Sequence, residues 1–156
     1  MSRARGFTLT ELIAVMVVLG ILSAVALPRM MESRVLLGAV FQADVVSALR
    51  YAQKSAVSHR RLVCASFTAT TVTLTIAAVN PAGGCSGALP SPDGAAYQSR
   101  DGSIVASGYP GSGWLYFQPD GTISTDPAGA SIYSGSIAIS GRATPIKVEG
   151  ATGHVE

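Results

Sequence analysis

Apolar residues crowd the start of this chain and are spaced periodically through the rest of it. Residues 12–27 carry no charge and no strong polar group except Ser23, with Glu11 on one side and Pro28 on the other. As a helix, residues 7–27 would span roughly 30 Å, the thickness of a bilayer core. From residue 29 to about residue 61 the apolar positions Leu37, Phe41, Val45, Leu49, Ala52 and Ala56 recur every three or four residues. Arg34, Asp44, Arg50 and Lys54 fall between them. That spacing predicts an amphipathic helix with one stripe laid on a sheet. Pro28 predicts a kink or local break between the halves, two separate helices being the alternative. The helix ends at Ser58-His59-Arg60-Arg61, where positive charge complements the helix dipole.

From Leu62 the period becomes two. Val72, Leu74, Ile76 and Ala78 alternate with Thr73, Thr75 and Ala77, the pattern of a half-buried strand. Strands are predicted over 62–67, 72–79, 103–106, 114–118, 122–124, 136–140, 146–149 and 154–155. Turns such as Pro119-Asp120-Gly121 and Ser140-Gly141-Arg142 separate them. The Pro/Gly/Ser-rich residues 80–94 are predicted as a loop. A long helix followed by antiparallel strands is an α+β plan.

Composition changes this picture little. Hydrophobic residues reach 48% and charged ones only 13%, and the N-terminal run accounts for the imbalance. The net charge is +2; without residues 1–6, Lys+Arg falls from 11 to 9 and equals the 9 Asp+Glu. A strongly basic nucleic-acid binder is not indicated. Cys64 and Cys85 lack zinc-site spacing, and if the domain lies outside the cytoplasm a disulfide between them is the plain reading.

A short basic leader, Arg3 and Arg5, ahead of an apolar run has two readings. One is a secretory signal peptide cut after Ala26, for which Ala24-Val25-Ala26 offers a small-residue site. The other is a membrane anchor with Arg3 and Arg5 in the cytoplasm. Glu11 favours the anchor. Its carboxylate costs about 2–3 kcal/mol if held near a bilayer centre, and a disposable signal has no use for it.

Gly6-Phe7-Thr8-Leu9-Thr10-Glu11-Leu12, with the apolar run and Pro28 behind it, resembles the leader junction of type IV pilins and type II secretion pseudopilins. The resemblance implies cleavage after Gly6 by prepilin peptidase and N-methylation of the new N-terminal Phe7. It also implies pairing of Glu11 with the N-terminal amine of a neighbouring subunit. Thr10 departs from the usual apolar residue there, without touching cleavage or pairing. The implied fold is pilin-like: a long helix, transmembrane in its first half and amphipathic in its second, packed on an antiparallel β-sheet domain. The divisions are leader 1–6, anchor 7–28, amphipathic helix 29–61 and periplasmic β-rich head 62–156. The stretches 44–52, 114–121 and 141–155 are similar to the GspH/FimT-type minor pilins, and the chain is also similar to MSHA-type minor pilins.

The implied partners are the prepilin peptidase with its N-methyltransferase activity, other pilins or pseudopilins, an inner-membrane assembly platform, and membrane lipid before assembly. Some members of this minor-pilin family bind DNA. Arg100, Arg142 and Lys147 are the residues for that role here, although they form no basic cluster in sequence. No catalytic constellation assembles. His59 and His154 lie outside any His-Glu-x-x-His context, residues 108–113 read as a turn, and no phosphate loop or carboxylate pair occurs. Trp114 and Tyr116 alternate with Leu115 and Phe117, as in a strand with one face on the core. The expectation is a non-enzymatic subunit without metal or cofactor, serving assembly, initiation or tip display.

Overall fold

The computed structural model describes residues 8–156, the side chains of residues 25–33 excepted. The chain divides into two compact units, Met1–Arg34 and Val35–Glu156. One helix, α1 (Leu9–His59), contributes to both. It is helical through Pro28, so the expected local break is absent. Proline removes one backbone donor, and the other i→i−4 bonds carry the helix past it. The side chain of Pro28 lies outside the described residues.

Among the described side chains of the first unit, the apolar ones point outward all round the helix. Leu9, Leu12, Ile13, Val15, Met16, Val17, Val18, Leu19, Ile21 and Leu22 are each at least 52% exposed. Ser23, the one polar group of the run, donates its hydroxyl to the Leu19 carbonyl at 2.7 Å. A helical stretch that is apolar on every side from residue 12 to residue 22 suits a lipid or protein surround rather than water.

The second unit has its own core. On α1, Phe41, Val45, Ala48, Leu49, Ala52 and Ala56 are buried, and Leu37 is partly so. Burying a side chain of the size of Phe41 or Leu49 stabilises by about 2–3 kcal/mol. The strands that cover this stripe form two antiparallel sheets. The first contains β1 (Val63–Phe67), β2 (Thr71–Ile76), β3 (Gly87–Ala88), β4 (Tyr97–Gln98), β6 (Trp114–Phe117) and β7 (Ile123–Ser124). Its order is β3-β2-β1-β6-β7, with β4 also paired to β2. The second sheet contains β5 (Ala106–Ser107), β8 (Ser134–Ile139), β9 (Ile146–Glu149) and β10 (His154–Val155), in the order β10-β9-β8-β5.

Alternation sends Val63, Ala65, Phe67, Val72, Leu74, Leu115, Phe117 and Ile123 inward from the first sheet. Ile137, Ile139, Ile146, Val148 and Val155 come in from the second. The register opposes Val63 to Phe117 and Ala65 to Leu115. Trp114 and Tyr116 face the other way, with rings 6.4 Å apart and 20° from parallel. On that outer side the Cys64–Cys85 disulfide, Leu62 and Ala77 form a small second core with Ala82 and Tyr116. The bridge spans 21 positions, and a loop of that length stabilises by about 3 kcal/mol in the chain-entropy account.

Three expectations are corrected. The stretch 80–94 is not wholly loop, because β3 lies inside it and β4 just beyond, both paired to β2. The strand expected at 103–106 is displaced to β5. The Asp101 carboxylate accepts the Ser103 N–H at 2.8 Å, and Ile104 N–H bonds the Asp101 carbonyl, turning the chain there. β2 ends at Ile76 rather than residue 79, after which the chain leaves the sheet toward Asn80.

The helix terminus holds a strained residue. Arg60 has φ 52°, a left-handed conformation normally given to glycine. Arg60 N–H bonds the Val57 carbonyl and Arg61 N–H bonds the Ala56 carbonyl, a Schellman ending. Asn80 Nδ2 donates to the Arg60 carbonyl at 2.9 Å, tying the turn to the chain beyond β2. Arg60→Gly should therefore stabilise the protein by about 1 kcal/mol. Urea unfolding of the detergent-solubilised chain measures this; an unchanged or lower midpoint would show that the Arg60 side chain offsets its backbone cost.

Candidate functional site

The start of α1 is a reciprocal cap. Thr8 precedes the helix and Glu11 is its third residue. Thr8 N–H donates to Glu11 Oε2 at 3.1 Å, and the Thr8 hydroxyl donates to the same oxygen at 3.0 Å. Glu11 N–H donates back to Thr8 Oγ1 at 3.3 Å. This is the Thr-x-x-Glu capping box, which satisfies backbone donors that a helix start leaves unpaired. A negative charge there also complements the helix dipole. The Thr-x-x-Glu spacing is present in the sequence, although the reading of Glu11 above rests on its charge beside an apolar run and on the pilin-like junction rather than on a cap. A carboxylate has about four acceptor positions, so the cap leaves capacity for an ammonium donor. Gly6 and Phe7 lie outside the described residues, as do the side chains of Ala26 and Pro28.

Two stretches compete as a membrane span. Among the described residues Arg34–His59 passes on length, with mean hydropathy 1.3, while Leu9–Ala24 is a shorter apolar helical segment whose continuation has no described side chains. Burial decides between them. The apolar stripe of the later stretch lies in the core of the head, with Arg50 and Lys54 on its exposed face. The earlier stretch leaves its apolar side chains outside. The earlier stretch is therefore the one that fits a membrane anchor.

Arg100, Arg142 and Lys147, the cations expected to serve nucleic acid, each have a different surround. Lys147 Nζ lies 3.4 Å from Glu156 Oε1. Arg100 borders a hollow with Asp44 and Asp93. There burial raises the pKa of Asp44, and the charge of Arg100 opposes that rise. Arg142 Nε donates to Gln42 Oε1 at 2.8 Å. Arg142 also borders a groove with Arg50 and Lys54 of α1. The four-residue spacing of Arg50 and Lys54 puts them on one helix face, the one sequence signal that pointed there.

Among the described residues, no group of three or more His, Cys, Asp or Glu side chains is placed to hold a metal. Residues 1–27 match the family model described as the prokaryotic N-terminal methylation motif. The matched segment includes Gly6, Phe7, Glu11 and most of the apolar run. It points to a type IV pilin-like protein processed by prepilin peptidase, and with the apolar helix it fits a membrane-anchored protein. No curated protein and no solved structure matches the chain.

Proposed function

We propose that the protein is a minor pilin or pseudopilin. It is cut between Gly6 and Phe7, N-methylated on Phe7, and held in the inner membrane by residues 7–27 with its head in the periplasm. The assembly platform then draws it into a type IV pilus or type II secretion pseudopilus, where it serves initiation or the tip. The subunit performs no reaction of its own. The observation that carries the reading is the methylation-motif match over residues 1–27. The exposed apolar helix and the placement of Glu11 at its mouth agree with it.

Burial explains why a carboxylate belongs there. In a filament core Glu11 must meet a positive charge, because an unpaired buried carboxylate is strongly disfavoured. The amine of Phe7 on the next subunit supplies that charge. Subunits docked in another register leave Glu11 unsatisfied, so the pair selects the register.

Mass spectrometry of the mature N-terminus tests the reading. N-methylated Phe7 is the expected terminus. A terminus at Leu27 would make the segment an ordinary signal peptide and end the proposal.

A further inference from the structure

The groove on the exposed face of α1 in the head encloses about 640 Å³. Its floor includes Ala39, Ala43 and Val46, and the charged residues along it are Arg50, Lys54 and Arg142. No carboxylate lines it. The two guanidinium groups are held in place by uncharged acceptors. Arg50 donates through Nε and Nη2 to the Val155 carbonyl at 3.1 and 2.8 Å. Arg142 is held by Gln42, and its stem passes over Gly38, where an added Cβ would sit 3.6 Å away. Glu156 lies 3.4 Å from Lys147 Nζ and 3.6 Å from His154 Nε2, and neither contact involves a residue that lines the groove. The nearest acids, Asp44 and Asp93, line a separate hollow that meets the groove at Ser47 and Pro92; within the groove the three cations are the only charges, an excess that favours an anionic occupant.

We infer that this groove docks an acidic, amphipathic segment of a different subunit of the filament, carboxylates on Arg50, Lys54 and Arg142 and apolar side chains on the alanine–valine floor. The shape selects a peptide. The lining from Ala39 to Lys54 runs about 22 Å along the helix, enough for a helix of roughly 14 residues. A DNA duplex is about as wide as that length, gains little from an apolar floor, and is usually held by more than three cations.

The acids of the chain itself select a different protein rather than a second copy. Asp93 accepts from Ser91 and Ala95, Asp101 from Ser103, and Asp120 from Thr122. Asp126 takes three backbone N–H groups, from Ala128, Ala130 and Ser131. The other acids of the head are Asp44 on α1, Glu149 on β9 and Glu156; six of the seven thus lie apart on strands and turns off α1, so a second copy offers the groove no acidic helical segment. A subunit with one side of such a pair joins a filament by meeting an unlike neighbour, as a minor subunit does. The identity of the partner rests on the proposed filament role; the chemistry of the groove does not.

The test uses the full-length chain in detergent micelles. The probe is a labelled helical peptide of about 14 residues, with glutamates on one side and leucines on the other; its glutamine counterpart is the control. Fluorescence anisotropy at low salt should show the acidic peptide binding at least about tenfold more tightly than the control. Lys54→Gln should weaken binding roughly threefold, and Lys54→Gln with Arg142→Gln about tenfold. Ala43→Trp, at an exposed floor position, should block binding without changing charge. Lys147→Gln and Arg100→Gln should leave it intact.

Equal binding of both peptides, no binding, or equal loss from Lys147→Gln would overturn the inference. So would tighter binding of a short DNA duplex through the same residues. Self-association abolished by Glu149→Gln would overturn it by making the occupant a second copy. A Leu27 terminus would remove the filament role and leave the peptide result standing. Failure of the peptide with N-methylated Phe7 present would remove the groove alone.

Discussion

Glu11→Ala should leave the subunit inserted in the membrane and its head folded, yet lower its incorporation into filaments by roughly a hundredfold. Under the proposed filament role two effects of Glu11 contribute, and they differ in size. Loss of the cap with Thr8 costs about 1 kcal/mol of helix-end stability. Leaving a buried amine unpaired in the filament costs about 3–5 kcal/mol, and the lower figure is already more than a hundredfold in equilibrium. Glu11→Gln separates the roles, because glutamine can still reach back to the Thr8 N–H but carries no charge. It should fail to assemble nearly as badly as alanine. Immunoblots of sheared filaments against membrane fractions give both quantities. Normal incorporation of Glu11→Gln would show that the cap is the whole role of Glu11 and would remove the pairing from the mechanism.

The largest stability effect should come from Gly150→Ala. Gly150 is buried at the seam where the two sheets meet. Its carbonyl accepts the Ile123 N–H at 2.8 Å, while the Ile123 carbonyl accepts the Tyr133 N–H at 2.9 Å. A methyl group there would overlap the carbonyl oxygen of Tyr133 and lie 2.5 Å from that of Ile123. Both obstacles are backbone, so neither can rotate away as a flexible side chain could. The seam must open instead, breaking hydrogen bonds between β7 and the second sheet. The expected loss is about 3 kcal/mol or more, a large fraction of the stability of a small domain. Gly111→Ala is the control. A Cβ there meets nothing within 4 Å, so its effect should stay within about 0.5 kcal/mol. Thermal unfolding followed by circular dichroism compares them, and a Gly150→Ala midpoint equal to that of the parent would show that the seam repacks.

Periodicity was legible because it is local. Five of the six stripe positions read along the second half of α1 are buried, with Leu37 partly so, and Ala48 joins them. The alternation of Leu115 and Phe117 against Trp114 and Tyr116 likewise survives in β6. Side-chain spacing of this kind follows from the geometry of one element, whatever packs on it. The two-residue strands β3 and β4 carry no such period. They exist because β2 offers backbone partners to passing chain. The left-handed Arg60 was equally silent, since the Schellman bonds and Asn80 hold an arginine in a conformation that its own preferences oppose.

The N-terminal motif, matched over residues 1–27, was legible in the sequence. Its length, its apolar run and the four-residue frame of Thr8 and Glu11 are all properties of consecutive positions, and the local hydrogen bonds form within them. The groove could not be read in the same way. It brings Arg142 beside Arg50 and Lys54 from a hundred positions away by the bond to Gln42, and it leaves Lys147 to Glu156. Sequence alone thus determined the helix, its two unlike halves and the charge at its entrance, because covalent neighbours decide those. Only the tertiary structure decided which distant charges share a surface and where the sheets close on glycine, because those depend on how the strands wrap the helix.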